Sequence, residues 1–329
     1  MKNEPNVILV SLPPNRFNPD FKKRIEEAAA GREVIYTLDR KEAEKYLDRT
    51  EIMIGFGFWS LCKKMPRLKW IQSWGAGVDG LINNPELIEL PVQITNTRGI
   101  HGDQLIEHIF ALILSYCRQF PRIYEAQKKH EWLNITDADV PVICGKTMLI
   151  LGYGTIGEKC AKTALSFGMK VIGVKRRQTE AKPGIRMETA IRIETVDKIQ
   201  DLLREADYVV NILPGTRDTI NFMGMDKFDA MKKSAIYVNV GRGITTDHNA
   251  LAAALRSGKI GAALLDVTDP EPLPKDSPLW EMENVLITPH YAGMRPDYAE
   301  LAMEITLKNL DLYGRGETLY NLVDKRAGY

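Results

Sequence analysis

Cysteine is scarce in these 329 residues: Cys62, Cys117, Cys144 and Cys160 are the whole set, and no two form a C-x-x-C pair. That argues against a disulfide framework and against a zinc site, so no metal is expected. Long apolar runs are missing as well. The most apolar stretch, residues 109–117, is about half of what a bilayer crossing needs. The start, MKNEPNVILVSLPP, has an unbroken apolar run only over residues 7–10, too short for the core of a secretory signal. The expectation is a cytoplasmic protein with no membrane span and reduced thiols. Charge of one sign is lacking too. Lys and Arg number 44 against 43 Asp and Glu, a net charge of +1, so no global field holds nucleic acid or an anionic membrane, and any anion site must be local. With 44% hydrophobic and 26% charged residues the composition is that of a packed chain, and its length exceeds what one hydrophobic core usually supports.

What is present is alternation. Strand-like runs at 7–11, 34–38, 52–56, 68–73 and 92–95 alternate with helical stretches at 20–30 and 41–46, the mark of βαβ units and a mainly parallel sheet. After Val140-Pro141 a second series offers strands at 147–151, 170–174, 208–212, 235–238, 262–265 and 285–287, six in all. The expected fold class is α/β with two parallel-sheet domains. Between the two series, residues 102–129 read as one long helix. Leu105, Ile109, Leu112 and Tyr116 share a face that Ile106, Ile113 and Phe120 widen, and so broad a band needs burial on more than one side. Residues 297–313 read as a last helix, residues 181–185 as a surface turn, Trp280 as a packing anchor, and Trp74 as core or pocket wall.

Residues 147–157 carry G-x-G-x-x-G as Gly152, Gly154 and Gly157, directly after a strand and at the head of a helical run. Such glycines make a tight turn, let backbone approach a pyrophosphate and pack helix on strand, with the helix N-terminus facing the anion. Strand, helix and the following strand all stand at the spacing that dinucleotide binding requires. The end of that next strand normally supplies an acidic residue for the adenosine ribose. Here it reads Lys175-Arg176-Arg177. Guanidinium groups suit a 2′-phosphate, so NADP(H) is the preferred cofactor, with NAD(H) still admissible and a solvated basic turn as the bland competitor.

Taken with this loop, four further segments complete a pattern: Gly75-Ala76-Gly77-Val78-Asp79, Asn239-Val240-Gly241-Arg242-Gly243, Leu265-Asp266-Val267-Thr268-Asp269-Pro270-Glu271-Pro272 and Ile287-Thr288-Pro289-His290. In content and order the chain resembles the D-2-hydroxyacid dehydrogenase family over almost its whole length. The resemblance implies a Rossmann cofactor domain, residues 101–295, inserted into a flavodoxin-like substrate domain, residues 1–100, to which 296–329 return. It implies reduction of small 2-oxo acids to D-2-hydroxy acids, with glyoxylate/hydroxypyruvate reductase as the narrower candidate. A dinucleotide-sensing corepressor-like module on the same fold is the alternative from another class.

By the same resemblance His290 is the proton donor, Glu271 its hydrogen-bonded acid with nearby Asp269 as rival, and Arg242 the grip on carboxylate and carbonyl. That set makes chemical sense, because a near-neutral imidazole, an orienting carboxylate and a forked cation are what oxo-acid reduction needs. Backbone N–H groups around Gly77 and Val78 would hold the other substrate carboxylate oxygen, in a substrate-binding loop that also includes Gly75 and Ala76. Tyr153, Thr155, Ile156 and Pro214 would line the cofactor, with Asp266 near its nicotinamide amide. His101, His108, His130 and His248 match no motif, and His108 reads as a structural contact. The family would also place the 102–129 helix in a homodimer interface.

Overall fold

Runs of β-branched and aliphatic residues hidden on both faces are what a parallel sheet covered by helices selects. In the computed structural model, which describes residues 4–16, 18–176 and 191–328, such runs build two sheets in two compact units. The first unit takes residues up to His101 together with those from Arg295 onward. Its strands are β1 (Val7–Ser11), β2 (Glu33–Tyr36), β3 (Thr50–Gly55), β4 (Trp70–Ser73) and β5 (Gln93–Thr95), all parallel in the order β2-β1-β3-β4-β5. Because β2 and β3 flank β1 on opposite sides, the C-terminal ends of β1 and β3 form a topological switch point, where this class of sheet collects ligands.

Helix Pro19–Ala28 starts on Asn18, whose side chain accepts from the N–H of Asp20, and it buries Phe21 and Ile25. Those side chains join Trp70, Trp74, Met303 and Leu310 in one cluster, so helix Tyr298–Gly314 belongs to the core of this unit. Trp74 is a core residue: it is fully buried, and its indole N–H donates to Oγ1 of Thr306 at 2.9 Å.

The second unit spans Gly102–Met294. Its strands are β6 (Thr147–Leu151), β7 (Lys170–Lys175), β8 (Ile191–Thr195), β9 (Tyr208–Asn211), β10 (Ile236–Asn239), β11 (Ala262–Leu265) and β12 (Val285–Ile287). All pair in parallel, in the order β12-β11-β10-β9-β6-β7-β8. Both sheets are therefore parallel α/β layers, as the alternation predicts. The sequence reading misses one strand. β8 pairs only with β7 at the sheet edge and keeps Arg192 and Ile193 exposed, so it lacks the apolar run that marks its neighbours. The turn expected at 181–185 lies outside the described residues.

Two other expectations need correction. Residues 102–129 are not one helix but two, Gly102–Cys117 and Phe120–Lys128, separated at Gln119, whose φ is +60°. Pro121 explains the break, since it has no N–H to donate to the carbonyl of Cys117 and its ring would clash there, whereas it is tolerated in the first turn of a new helix. The wide apolar band needs no partner chain, because Leu105, Ile106, Ile109, Phe110, Leu112 and Ile113 are all buried within their own unit. The apolar side chains left exposed lie further on, at Phe120, Ile123 and Tyr124. Trp280 is no packing anchor either; it is half exposed and its indole donates to the carbonyl of Pro274 at 2.9 Å. Among the described residues no helix is long and apolar enough to cross a membrane.

Candidate active site

β7 and β9 flank β6 on opposite sides, so the second sheet has its switch point where β6 and β9 end. The glycine loop leaves β6 at that point. Gly152 has φ +95°, and a Cβ there would sit 3.0 Å from the carbonyl oxygen of Ile212. At Gly157 a Cβ would lie 2.6 Å from the carbonyl oxygen of Gly152, so only glycine lets helix Thr155–Ser166 start this close to the strand. The loop thus presents a helix N-terminus and bare backbone, the donor set an anionic pyrophosphate takes. Thr155 is exposed and Ile156 partly buried on the first turn of that helix. Tyr153 is fixed by its N–H bond to the carbonyl of Val174 at 2.9 Å, and burial pushes its phenol above the ordinary range.

At the end of β7 the Lys175 ammonium lies 5.7 Å over the Tyr153 ring, and Nη1 of Arg176 sits 3.3 Å from Oδ2 of Asp218. Arg177 lies outside the described residues. Pro214 follows β9, its carbonyl accepting the Thr219 hydroxyl at 2.7 Å.

The same edge of the second sheet carries the titratable residues. Arg242 follows β10; its Nη1 donates to the carbonyl of Gly241 at 2.8 Å, while its own carbonyl accepts from Oγ1 of Thr245 at 2.6 Å. Glu271 leaves β11 on the loop shared with Asp269. Its Oε1 accepts the N–H of Thr268 at 3.0 Å, and its Oε2 lies 2.6 Å from Nδ1 of His290 after β12. Glu271, not Asp269, therefore reaches the imidazole. The Glu271 bond raises the His290 pKa above its ordinary value, against the opposing effect of burial. Burial alone would raise the Glu271 carboxyl, yet the bonds from His290 and Thr268 hold it below the usual range.

Asp266 is nearly fully buried, and its carboxylate is already engaged. Oδ1 accepts from Oγ1 of Thr288 at 2.7 Å and from the N–H of Tyr291 at 3.1 Å, and Oδ2 from the N–H of Ala292 at 3.0 Å. Nε2 of His108 stands 3.0 Å from the Thr288 hydroxyl and 3.4 Å from Oδ1 of Asp266. This cluster binds both sides of the segment that carries His290, a residue held at φ +50°. Sequence reasoning takes His108 as a structural contact, which it is, and quotes Thr288 only as part of the segment that carries His290; nothing local reveals that the two meet at Asp266.

In the first unit, residues 75–78 follow β4. The carbonyls of Gly75 and Ala76 are tied to the N–H of Thr97 at 3.2 Å and to Nδ2 of Asn96 at 2.7 Å. Among the described residues no internal acceptor takes the N–H groups of Ala76, Gly77 and Val78. No group of three or more His, Cys, Asp or Glu among the described residues could hold a metal ion.

Residues 110–292 match the family model of the D-isomer specific 2-hydroxyacid dehydrogenase NAD binding domain. The chain belongs to that family. A glyoxylate reductase from Thermococcus litoralis is 34% identical over 272 residues, 80% of this chain and 80% of that one. A glyoxylate/hydroxypyruvate reductase B from Enterobacter sp. is 34% identical over 239 residues, 70% of each chain. Among solved structures, a D-isomer specific 2-hydroxyacid dehydrogenase family protein from Aeromonas salmonicida superposes with a TM-score of 0.79 at 32% identity, covering 98% of this dehydrogenase and 100% of that chain. An NADPH-dependent glyoxylate/hydroxypyruvate reductase from Sinorhizobium meliloti, solved with NADP and sulfate, gives 0.80 at 27% identity over 98% and 100%.

Proposed function

We propose that this dehydrogenase reduces small 2-oxo acids, glyoxylate and hydroxypyruvate among them, to D-2-hydroxy acids, and that NADPH is its preferred hydride donor. The observation that carries the reading is the 2.6 Å pair of Glu271 and His290, which shares one sheet edge with Arg242 and the glycine loop. The loop fits the cofactor, since the space beside Gly152 and Gly157 admits no side chain and the helix N-terminus attracts a pyrophosphate. Bound there, the nicotinamide supplies the hydride. Gly152, Tyr153, Gly154, Thr155, Ile156, Gly157 and Pro214 would hold it, with Lys175, Arg176 and Arg177 around a 2′-phosphate. Asp266 would act mainly by fixing the His290 segment.

His290 donates a proton from Nε2 to the nascent alkoxide, because Glu271 occupies Nδ1 and favours the charged ring. Arg242 polarises the carbonyl and grips the carboxylate with its fork. In the first unit the N–H groups of Ala76, Gly77 and Val78 are donors of the kind a carboxylate oxygen takes. This unit serves as the substrate domain in our reading, and residues 102–294 as the cofactor domain. The four free cysteines agree with a cytoplasmic location. Phe120, Ile123 and Tyr124, exposed on helix Phe120–Lys128, are the surface we assign to a homodimer.

Steady-state turnover of glyoxylate and hydroxypyruvate with each cofactor tests the reading. NADPH should be favoured, and an Arg176→Ala, Arg177→Ala double variant should lose roughly 10-fold to 100-fold in NADPH efficiency with little change for NADH. The Asp218 partner hardly interferes, since an exposed ion pair of this kind contributes little. A wild-type preference for NADH, or an equal loss with both cofactors, would refute the assignment. Sedimentation should give twice the chain mass, and Tyr124→Glu should halve it.

A further inference from the structure

We infer, building on the oxo-acid reading above, that a hollow at the switch point of the five-stranded sheet receives the substituent of the 2-oxo acid, and that Arg16 selects substituents ending in a carboxylate. The hollow measures about 450 Å³ and is lined by Ser11, Pro13, Arg16, Leu38, Phe56 and Gly57. Ser11 ends β1, Phe56 and Gly57 follow β3, and Leu38 comes just after β2, so the lining is the rim where a doubly wound sheet collects ligands.

The hollow adjoins the loop that offers N–H donors. A Cβ at Gly75 would stand 3.9 Å from Cε1 of Phe56, so this ring lies one side-chain atom's reach from the start of residues 75–78. The same ring lies 5.4 Å from the Arg16 guanidinium carbon, which is also 4.8 Å from the Tyr298 ring. The Tyr298 hydroxyl in turn donates to the carbonyl of Trp74, the residue before that loop. Two aromatic faces thus hold one guanidinium beside a proposed carboxylate site. Part of the Arg16 edge bonds to the Tyr298 hydroxyl, and because stacking uses only the face of the guanidinium, its remaining N–H groups are left to meet an anion in the plane.

The rest of the wall narrows the ligand. Ser11 Oγ is taken up locally, accepting the N–H of Gly57 at 3.0 Å and donating to the carbonyl of Ile54 at 3.4 Å. Leu38 and Phe56 are exposed apolar side chains, and among the described residues lining the hollow Arg16 alone is charged. Apolar walls around one forked cation match a short methylene stem that ends in a carboxylate. Glyoxylate, whose substituent is a hydrogen atom, reaches none of these groups.

The experiment compares oxaloacetate with 4-methyl-2-oxopentanoate, which has nearly the same shape but no second charge, and uses glyoxylate as the reference. Wild type should favour oxaloacetate. Arg16→Met, which keeps the apolar stem, should lower the oxaloacetate to 4-methyl-2-oxopentanoate ratio of kcat/KM by roughly 10-fold to 100-fold, mainly through KM. Arg16→Lys should recover part of it. An unchanged ratio in Arg16→Met, or a wild-type preference for the uncharged acid, would overturn the subsite while glyoxylate turnover left the oxo-acid reading standing. If no oxo acid were turned over, that reading would fail instead. Calorimetric titration with malate would then decide the subsite, equal binding by wild type and Arg16→Met, or none by either, counting against it.

Discussion

Two histidine–carboxylate pairs stand at the same edge of the second unit, and their histidines shift in opposite directions. His290 and Glu271 have side chains 47% and 36% exposed, whereas His108 and Asp266 are 8% and 2% exposed. In the open pair the short bond to Glu271 dominates and raises the His290 pKa. In the closed pair desolvation dominates and lowers that of His108, although Asp266 pulls the other way. The chemical groups are alike, and burial lowers both rings. The difference is that Glu271 bonds its histidine directly at 2.6 Å, whereas Asp266 stands 3.4 Å from His108 with its oxygens spent on Thr288, Tyr291 and Ala292. One pair is thereby suited to carry a proton, while the other holds a neutral ring against the segment on which the first depends.

The largest expected break in this comparison is His290→Ala. Turnover should drop by roughly 100-fold to 10,000-fold, the usual worth of a positioned general acid, with cofactor affinity retained. Near-normal turnover would remove His290 from the proton step. In wild type, reduction needs the imidazolium. Its rate should be highest at low pH and fall as pH rises through the raised pKa of His290, and oxidation of the hydroxy acid should show the reverse. Stability follows the same sign. The His290 contribution is fully present below the unfolded pKa and is lost as pH rises through the folded one.

The open pair was legible in the sequence and the closed one was not. Glu271 and His290 lie in short segments whose order carries a resemblance, and the glycine loop announces itself by the spacing of Gly152, Gly154 and Gly157. His108 sits amid the apolar residues of helix Gly102–Cys117, 158 residues before Asp266, and no local pattern links them. Their meeting depends on packing of that helix into the core formed with β6 and β10. Strand β8 escaped notice for a related reason, as an edge strand need not be apolar. The break at Gln119 could have been read, because Pro121 signals it; the continuous apolar pattern simply outweighed the proline.

A smaller break is Glu271→Gln, which keeps an acceptor for Nδ1 and removes the charge. His290 should then titrate lower, since burial remains and its main opposing influence is gone. The pH at which reduction is half-maximal should move to the acid side, and the rate near neutral pH should fall by roughly 10-fold to 100-fold. An unmoved profile would show that Glu271 only orients the ring.

The smallest effect is expected at the closed pair. His108→Gln exchanges one neutral donor for another, so no charge near His290 changes and the pH profile of reduction should keep its midpoint. The Gln amide can still reach the Thr288 hydroxyl, but the edge contact of the imidazole on Tyr291, with ring centroids 4.8 Å apart, is lost. Such contacts are worth about 0.5 to 1.5 kcal/mol, which in a unit of this size lowers the melting temperature by roughly 1 to 6 °C. The difference should also depend on pH. The buried His108 has a lowered pKa, so the unfolded chain binds a proton there that the folded chain refuses. Wild type is penalised as pH falls from the unfolded pKa toward the folded one. Glutamine does not titrate, and the gap between wild type and His108→Gln should therefore narrow in acid. A gap that widened in acid would mean that His108 is charged in the fold, and the contrast between the two pairs would be lost.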